Sequence, residues 1–440
     1  MLLSSGNGPA QAVARYNPAM RLSTGLIALL FLTLSALAQD ATKPQPEPKS
    51  VTVPITLDHN RVVIDVYLPL PDGTSKRVRG WVDTGDPELQ MSARVAKLTG
   101  LAITCDRTTC SAPPPRVIAI GDMKISIAAQ KEVKIPLRAE SAASVMVPGM
   151  SAEIKIPSSV LRNYDVLINF PDREFSIGVP GSLDFKGVKS KMLINESTGF
   201  VQIPSKIENK SYNLGLDVGS PITFLSEELF DKVASGHPDW PHMTGAIGPA
   251  NVGEMGDDET KWKLMRVDRL QYGPLFLTDV PVAEVPKNFF AFFERNAASA
   301  LSGVLGSDAL MNYRVGLDYA HSTAYFDIGR TFKFPEFDVV GLILRPEDDT
   351  RFTILGVADF QGTPSVPEVQ AGDHLAAVDG TPVPDSTMGQ VWSLLEGSPG
   401  QERKLTVERV GRQFTVVAKV QHFLAEASEN EAKEKSKNKH

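Results

Sequence analysis

Two stretches of the chain read alike: Gly80-Trp81-Val82-Asp83-Thr84-Gly85-Asp86-Pro87 and Gly215-Leu216-Asp217-Val218-Gly219-Ser220-Pro221. In each, two mainly apolar positions lead into Asp-x-Gly-x-Pro. Each then runs through an apolar stretch to a serine, Ser92 or Ser226, where a short helix is predicted. A lone Asp-Thr-Gly is a common turn tripeptide and carries little information. Its weight comes from a second match. Leu161-Arg162-Asn163-Tyr164-Asp165-Val166-Leu167-Ile168-Asn169-Phe170 parallels Leu310-Met311-Asn312-Tyr313-Arg314-Val315-Gly316-Leu317-Asp318-Tyr319. The chain therefore reads as a duplicated unit with an Asp-Gly turn at the equivalent place in each copy, the second copy being somewhat longer.

The surroundings of the repeat are strand-rich. Short apolar runs such as Val62–Leu68, Lys124–Ile127 and Phe276-Leu277 are broken by Gly, Pro and Asp, which predicts β structure. Helical periods are scarce, the best being Ser92–Leu98, Ser226–Ala234 and Thr387–Glu396. With 42% hydrophobic and 22% charged residues, the 440-residue chain has an ordinary globular composition for two to four domains. A net charge of −7 gives no basic surplus for a nucleic-acid partner.

On these residues the region 51–335 resembles the aspartic proteases of the pepsin and retropepsin kind. The carriers are Asp83-Thr84-Gly85, Asp217-Val218-Gly219-Ser220 and Gly303-Val304-Leu305-Gly306, the last matching the element that packs beneath an Asp loop in that family. The resemblance implies an all-β, two-lobed fold, with lobes at 51–196 and 197–335. It implies catalysis by Asp83 and Asp217, with Thr84, Gly85, Asp86, Gly219 and Ser220 supporting them. Two close carboxylates cannot both ionise easily, so one proton is shared and a water between them becomes a nucleophile; paired aspartates of this kind are a standard worked case. The chain departs from the family in three places. Asp86 stands where a hydroxyl residue usually donates to the catalytic carboxylate, and its charge is expected to raise the dyad pKa. Val218 stands where a second interlocking threonine is usual, leaving only Thr84. Ile156-Pro157-Ser158-Ser159-Val160 replaces the Gly-Val-Leu-Gly element of the first lobe.

Residues 336–424 carry a different pattern: Val339–Leu344, Phe352–Val357, Ala371-Gly372-Asp373 before an apolar strand and Asp379-Gly380, a helix near Met388–Leu395, and Lys404–Arg409. This resembles a PDZ domain. The resemblance implies a loop at Val340, Gly341 and Leu342 that holds a peptide carboxylate. It also implies an open strand edge at Ile343 and Leu344, and an apolar groove residue at Met388.

The chain ends complete the reading. Arg21 precedes the apolar run Leu26–Leu34 and the small-x-small site Ala36-Leu37-Ala38, the layout of a secretory signal over residues 1–38. A Pro-rich linker (39–50) follows, and residues 425–440 are a charged tail expected to be disordered. Export makes Cys105 and Cys110 a structural disulfide in an oxidising compartment. His237 and His242 have no third ligand in view, so no metal or cofactor is expected. The expected protein is an exported (periplasmic or secreted) endopeptidase acting on polypeptides, with no membrane span after signal cleavage. Its PDZ domain is expected to take peptide or protein C-termini. The alternative is a protease-like binding protein without turnover, which Asp86 and Val218 favour.

Overall fold

The computed structural model describes residues 47–107, 109–138, 145–329 and 337–425. The expected leader, most of the linker and the charged tail lie outside these residues. The class is all-β, as expected, with strands throughout and few short helices.

In the first repeat, Arg61–Pro69 and Ser75–Asp83 form an antiparallel hairpin closed by Asp72-Gly73, where Gly73 takes φ +85°. Apolar residues dominate Arg61–Pro69, and Val62, Ile64, Val66 and Leu68 reach the core. Ile154–Pro157 then runs parallel to the end of this hairpin, with Pro157 opposite Asp83. The second repeat builds the same unit. Val201–Ile207 and Lys210–Leu216 pair antiparallel, and Gly303–Leu305 lies parallel to Leu214–Leu216. Thus Ile154–Pro157 takes the position of Gly303–Leu305 although it lacks the glycines.

The second sequence match explains how the copies join. Asp165–Asn169 and Tyr313–Asp318 are adjacent strands at the centre of one six-stranded sheet. They pair antiparallel with Leu167 opposite Gly316. These two are equivalent positions of the repeat, so a local two-fold axis passes between them. Gly316 replaces the leucine because a Cβ there would lie 2.5 Å from the Phe185 ring.

The third unit is a six-stranded sheet whose main path runs Leu342–Pro346, Phe352–Val357, His374–Val378, Glu402–Arg409 and Arg412–Lys419, with Thr381–Pro382 pairing on His374–Val378. Its helix Met388–Leu395 starts with a reciprocal Thr387/Gln390 capping box. The expected single strand through Gly341 is two separate pieces. Phe337–Val339 pairs with Gln421–Phe423, and Leu342–Pro346 joins the main sheet.

The groove expected in this unit is not open. Val340, Leu342, Ile343, Leu344 and Met388 are all buried. They share one apolar core with Phe200, Ile222, Phe224, Ala246, Ile247, Trp262 and Phe290 of the second repeat. The loop amides expected for a carboxylate are used internally: Val340 N–H donates to Leu395 O (3.0 Å) and Leu342 N–H to Val340 O (2.8 Å). At the strand edge, Leu344 N–H donates to Asn251 Oδ1 (2.9 Å) and Asn251 Nδ2 donates to Leu344 O (2.9 Å). Met388 N–H donates to Gly149 O (2.7 Å). Gly341 is required because a Cβ would press on Ser365 and Phe423, not because a peptide approaches.

Candidate active site

Asp83 and Asp217 end equivalent strands and face each other across the local axis. Both are buried, at 3% and 4% exposure. The loops touch so closely that a Cβ on Gly85 would lie 2.3 Å from the Asp217 carboxyl, and one on Gly219 would lie 2.8 Å from that of Asp83. The point a Gly219 Cβ would occupy lies 2.8 Å from Asp83 Oδ1 and 3.0 Å from Asp217 Oδ1, so the two carboxyls are close neighbours. Each is also held by its own loop. Gly85 and Asp86 N–H donate to Asp83 Oδ1 (2.9 and 3.0 Å), and Gly219 N–H donates to Asp217 Oδ1 (2.7 Å).

The interlock expected of Thr84 is present in half. Its hydroxyl donates to Leu216 O (3.0 Å) and accepts from Val218 N–H (3.0 Å). Val218 has no hydroxyl to reciprocate. Ser220 donates to Ile222 O (2.8 Å) and so is turned into its own loop, away from the support of Asp217 expected of it.

Burial pushes Asp83 well above the usual carboxylate range, and the neighbouring Asp217 adds to the effect; Lys155 pulls it back and Asp86 pushes it up. Asp217 is pushed up to about 6 by burial, opposed first by the Gly219 amide, with Asp86 raising and Arg61 lowering it. The expected upward effect of Asp86 is therefore present, but beside a cation. Lys155 Nζ pairs with Asp86 Oδ2 and lies 3.9 Å from Asp83 Oδ2. Lys155 escaped the sequence reading because Ile154-Lys155-Ile156 alternates like a half-exposed strand. In the fold this strand is covered on both faces, and Lys155 is only 1% exposed.

Arg61 is the second buried cation. Its Nε donates to Gly219 O (3.2 Å) and its Nη2 to Glu254 Oε1 (2.9 Å). Trp81 lies between the two, with Arg61 Cζ 5.7 Å and Lys155 Nζ 5.6 Å from its ring centre. A cavity of about 130 Å³ opens on the dyad. Phe224, Phe289, Phe292 and Phe293 line one side, and Val252 and Glu254 close it. Three of those rings sit on helix Lys287–Asn296, which sequence reading missed. Its signals were Pro286 before the first turn and an apolar stripe through Phe289, Phe290 and Phe293.

The segment closing the cavity is tied down on its far side. Asn251, fully buried, donates to Glu259 Oε2 (2.6 Å) in addition to its two bonds with Leu344, and its carbonyl accepts from His59 Nε2 (2.9 Å). Glu259 also accepts Gly253 N–H (3.1 Å) and Met255 N–H (2.9 Å). Burial pushes Glu259 up to about 7 and lowers His59 to about 3, with Arg61 adding to the latter effect.

Cys105 and Cys110 form a disulfide across a hairpin register pair. His237 pairs with Glu208 and stacks on Trp240 at 3.9 Å, and His242 bonds Trp240 O.

No protein-family model matches the chain, and no curated protein matches its sequence. Among solved structures, an aspartic proteinase from Irpex lacteus is similar at 12% identity and a TM-score of 0.38, over 64% of this chain and 97% of that one. A likeness of that degree carries no weight, and the functional reading rests on the geometry of the chain itself.

Proposed function

We propose that the chain is an aspartic endopeptidase acting on polypeptides through Asp83 and Asp217. The observation that carries this reading is the pair of buried, closely apposed carboxyls on facing loops. Both are pushed above the usual carboxylate range, so the pair carries one proton, which the mechanism assigns to Asp83. Asp217 in its charged form takes a proton from a water lying between them, and the water oxygen attacks the scissile carbonyl carbon. Asp83 gives its proton to the carbonyl oxygen. The proton on Asp217 then passes to the leaving amine as the tetrahedral intermediate collapses, and one of its two hydroxyls returns a proton to Asp83.

The third unit is proposed to be a PDZ-type module whose strand edge is engaged by the chain's own Asn251. Its ligands would be peptide or protein C-termini that add to the Leu342–Leu344 edge in place of Asn251. The disulfide supports export to an oxidising compartment. The second reading, binding without turnover, is favoured by the incomplete support of the dyad: Val218 returns no hydroxyl to the interlock, and Ser220 donates to Ile222 O within its own loop.

The test is cleavage of an unfolded polypeptide by the purified full chain. Loss of cleavage in both Asp83→Asn and Asp217→Asn supports the dyad. Retention in either removes that residue from the mechanism, and no cleavage by the unaltered protein at any pH supports the binding reading.

A further inference from the structure

Asp83 divides its carboxylate between two kinds of partner. Oδ1 takes both loop amides, from Gly85 and Asp86. Oδ2 takes neither, and it is the oxygen that faces Lys155 at 3.9 Å. Lys155 reaches it from the strand beneath the loop. In the parallel register Lys155 lies opposite Trp81 and Pro157 opposite Asp83, so by strand alternation all four side chains share one face. The lysine side chain is 2% exposed, and its ion-pair partner Asp86 is in the loop itself. A buried lysine is costly unless it is paired. A chain needing only to fill this space would hold an apolar residue there.

We propose that Lys155 is a positioning residue of the dyad: anchored by Asp86, its ammonium fixes the orientation of Asp83 Oδ2 and sets the pH range over which the pair carries a single proton. This rests on the catalytic reading of the dyad. The charged and titratable groups facing this centre come from every element around it. They are Asp86 in the first loop, Asp217 in the second, Arg61 on the first strand of the hairpin, and Glu254 on the covering segment. Asp86 acts in two ways. Its own charge opposes ionisation of the dyad, and its pairing holds the ammonium back from Asp83. Loss of the lysine charge therefore moves the titration of the pair upward. Neutralising Asp86 moves it downward, and further when Lys155 is present to close on Asp83.

The experiment follows the side-chain carboxyl signals of 13C-labelled aspartate by NMR against pH, in parallel with cleavage of a fluorogenic peptide mixture. Lys155→Met and Lys155→Gln are expected to shift the titration of Asp83, and with it the alkaline limb of cleavage, upward by about one pH unit, a tenfold change in proton affinity. Lys155→Arg is expected to restore it. Asp86→Asn is expected to shift it downward, by less in the Lys155→Gln background. A role limited to packing would lower the unfolding temperature and leave the titration in place. An unmoved titration in both neutral lysine variants, or equal Asp86→Asn shifts with and without Lys155, overturns the proposal. Should Lys155→Met not fold, Lys155→Gln, which retains a donor for Asp86, decides. The NMR signals report on Lys155 even if no peptide is cleaved, whereas cleavage that survives Asp83→Asn removes the catalytic reading alone.

Discussion

The hydroxyl of Thr84 bridges to the main chain around Val218, 134 residues on, donating to Leu216 O and accepting from Val218 N–H at 3.0 Å each. This single side chain ties the two Asp loops together from beneath. Thr84→Val keeps the shape and leaves a buried amide and a buried carbonyl without this partner, at a cost of about 1–3 kcal/mol each. A lowered denaturant midpoint and a larger proportional fall in cleavage are expected. An unchanged midpoint would show that the loops are held elsewhere.

The dyad has a defined working range. With Asp217 pushed up to about 6 and Asp83 also raised well above its ordinary value, the singly ionised pair becomes the main form as pH rises through about 6, until the second carboxyl also ionises. Cleavage should therefore rise as pH increases through about 6, giving an optimum nearer neutrality than to strong acid. A pH profile with its maximum below pH 4 would contradict this.

Stability should move in the opposite direction. Burial raises Asp308 and Glu259 to about 7, so the folded chain keeps protons that the unfolded chain releases near pH 4. The stabilisation is complete below those unfolded values and is lost as pH rises through about 7. His59, lowered to about 3, acts oppositely and costs stability as pH falls below 6.5. The carboxylates outnumber it, so unfolding temperature should increase from pH 7.5 to pH 5. Asp308→Asn should flatten that slope in thermal scans.

Asn251 offers a direct handle on the covering segment. Asn251→Ala removes its bonds to Leu344 and Glu259, while Val252 and Glu254 remain at the cavity. A looser segment should speed hydrolysis of long substrates more than short ones, and hydrogen exchange at 248–255 should rise. Deleting the third unit would be a poorer test, because it would bare Phe200, Ile222, Ala246 and Trp262 to water.

The Cys105–Cys110 bridge closes a short loop, worth about 2 kcal/mol in the chain-entropy view. Thiol labelling of the exported protein should find both cysteines blocked until reductant is added. Labelling without reduction would argue against an oxidising destination.

Much of this fold was legible because duplication writes itself twice. The Asp-Gly turns and the Leu161/Leu310 match located both loops and the strands that pair across the axis. The helices after Ser92, Ser226 and Thr387 were legible from their periods, and in the fold the side chain of each of these residues accepts a backbone amide of the first turn. Lys155 was hidden because alternation reports the faces of a strand and not whether both are covered. Asn251 was hidden because nothing local distinguishes an asparagine that completes a distant strand edge from one in a turn. The occupancy of the Leu344 edge was hidden for the same reason, since a sequence shows an apolar edge without showing what lies on it.

The engagement of Asn251 with Leu344 also has a consequence in time. A chain is made from its N-terminus, and domains tend to fold as they emerge. Both aspartates are therefore in place before the residues that anchor the covering segment have been synthesised. Until Leu344 appears, Asn251 lacks its two bonds to that strand edge and is held by Glu259, His59 and its own turn to Gly248. The nascent protein thus passes through an interval in which its cleft is assembled and unlatched, and completion of the last sheet fastens it.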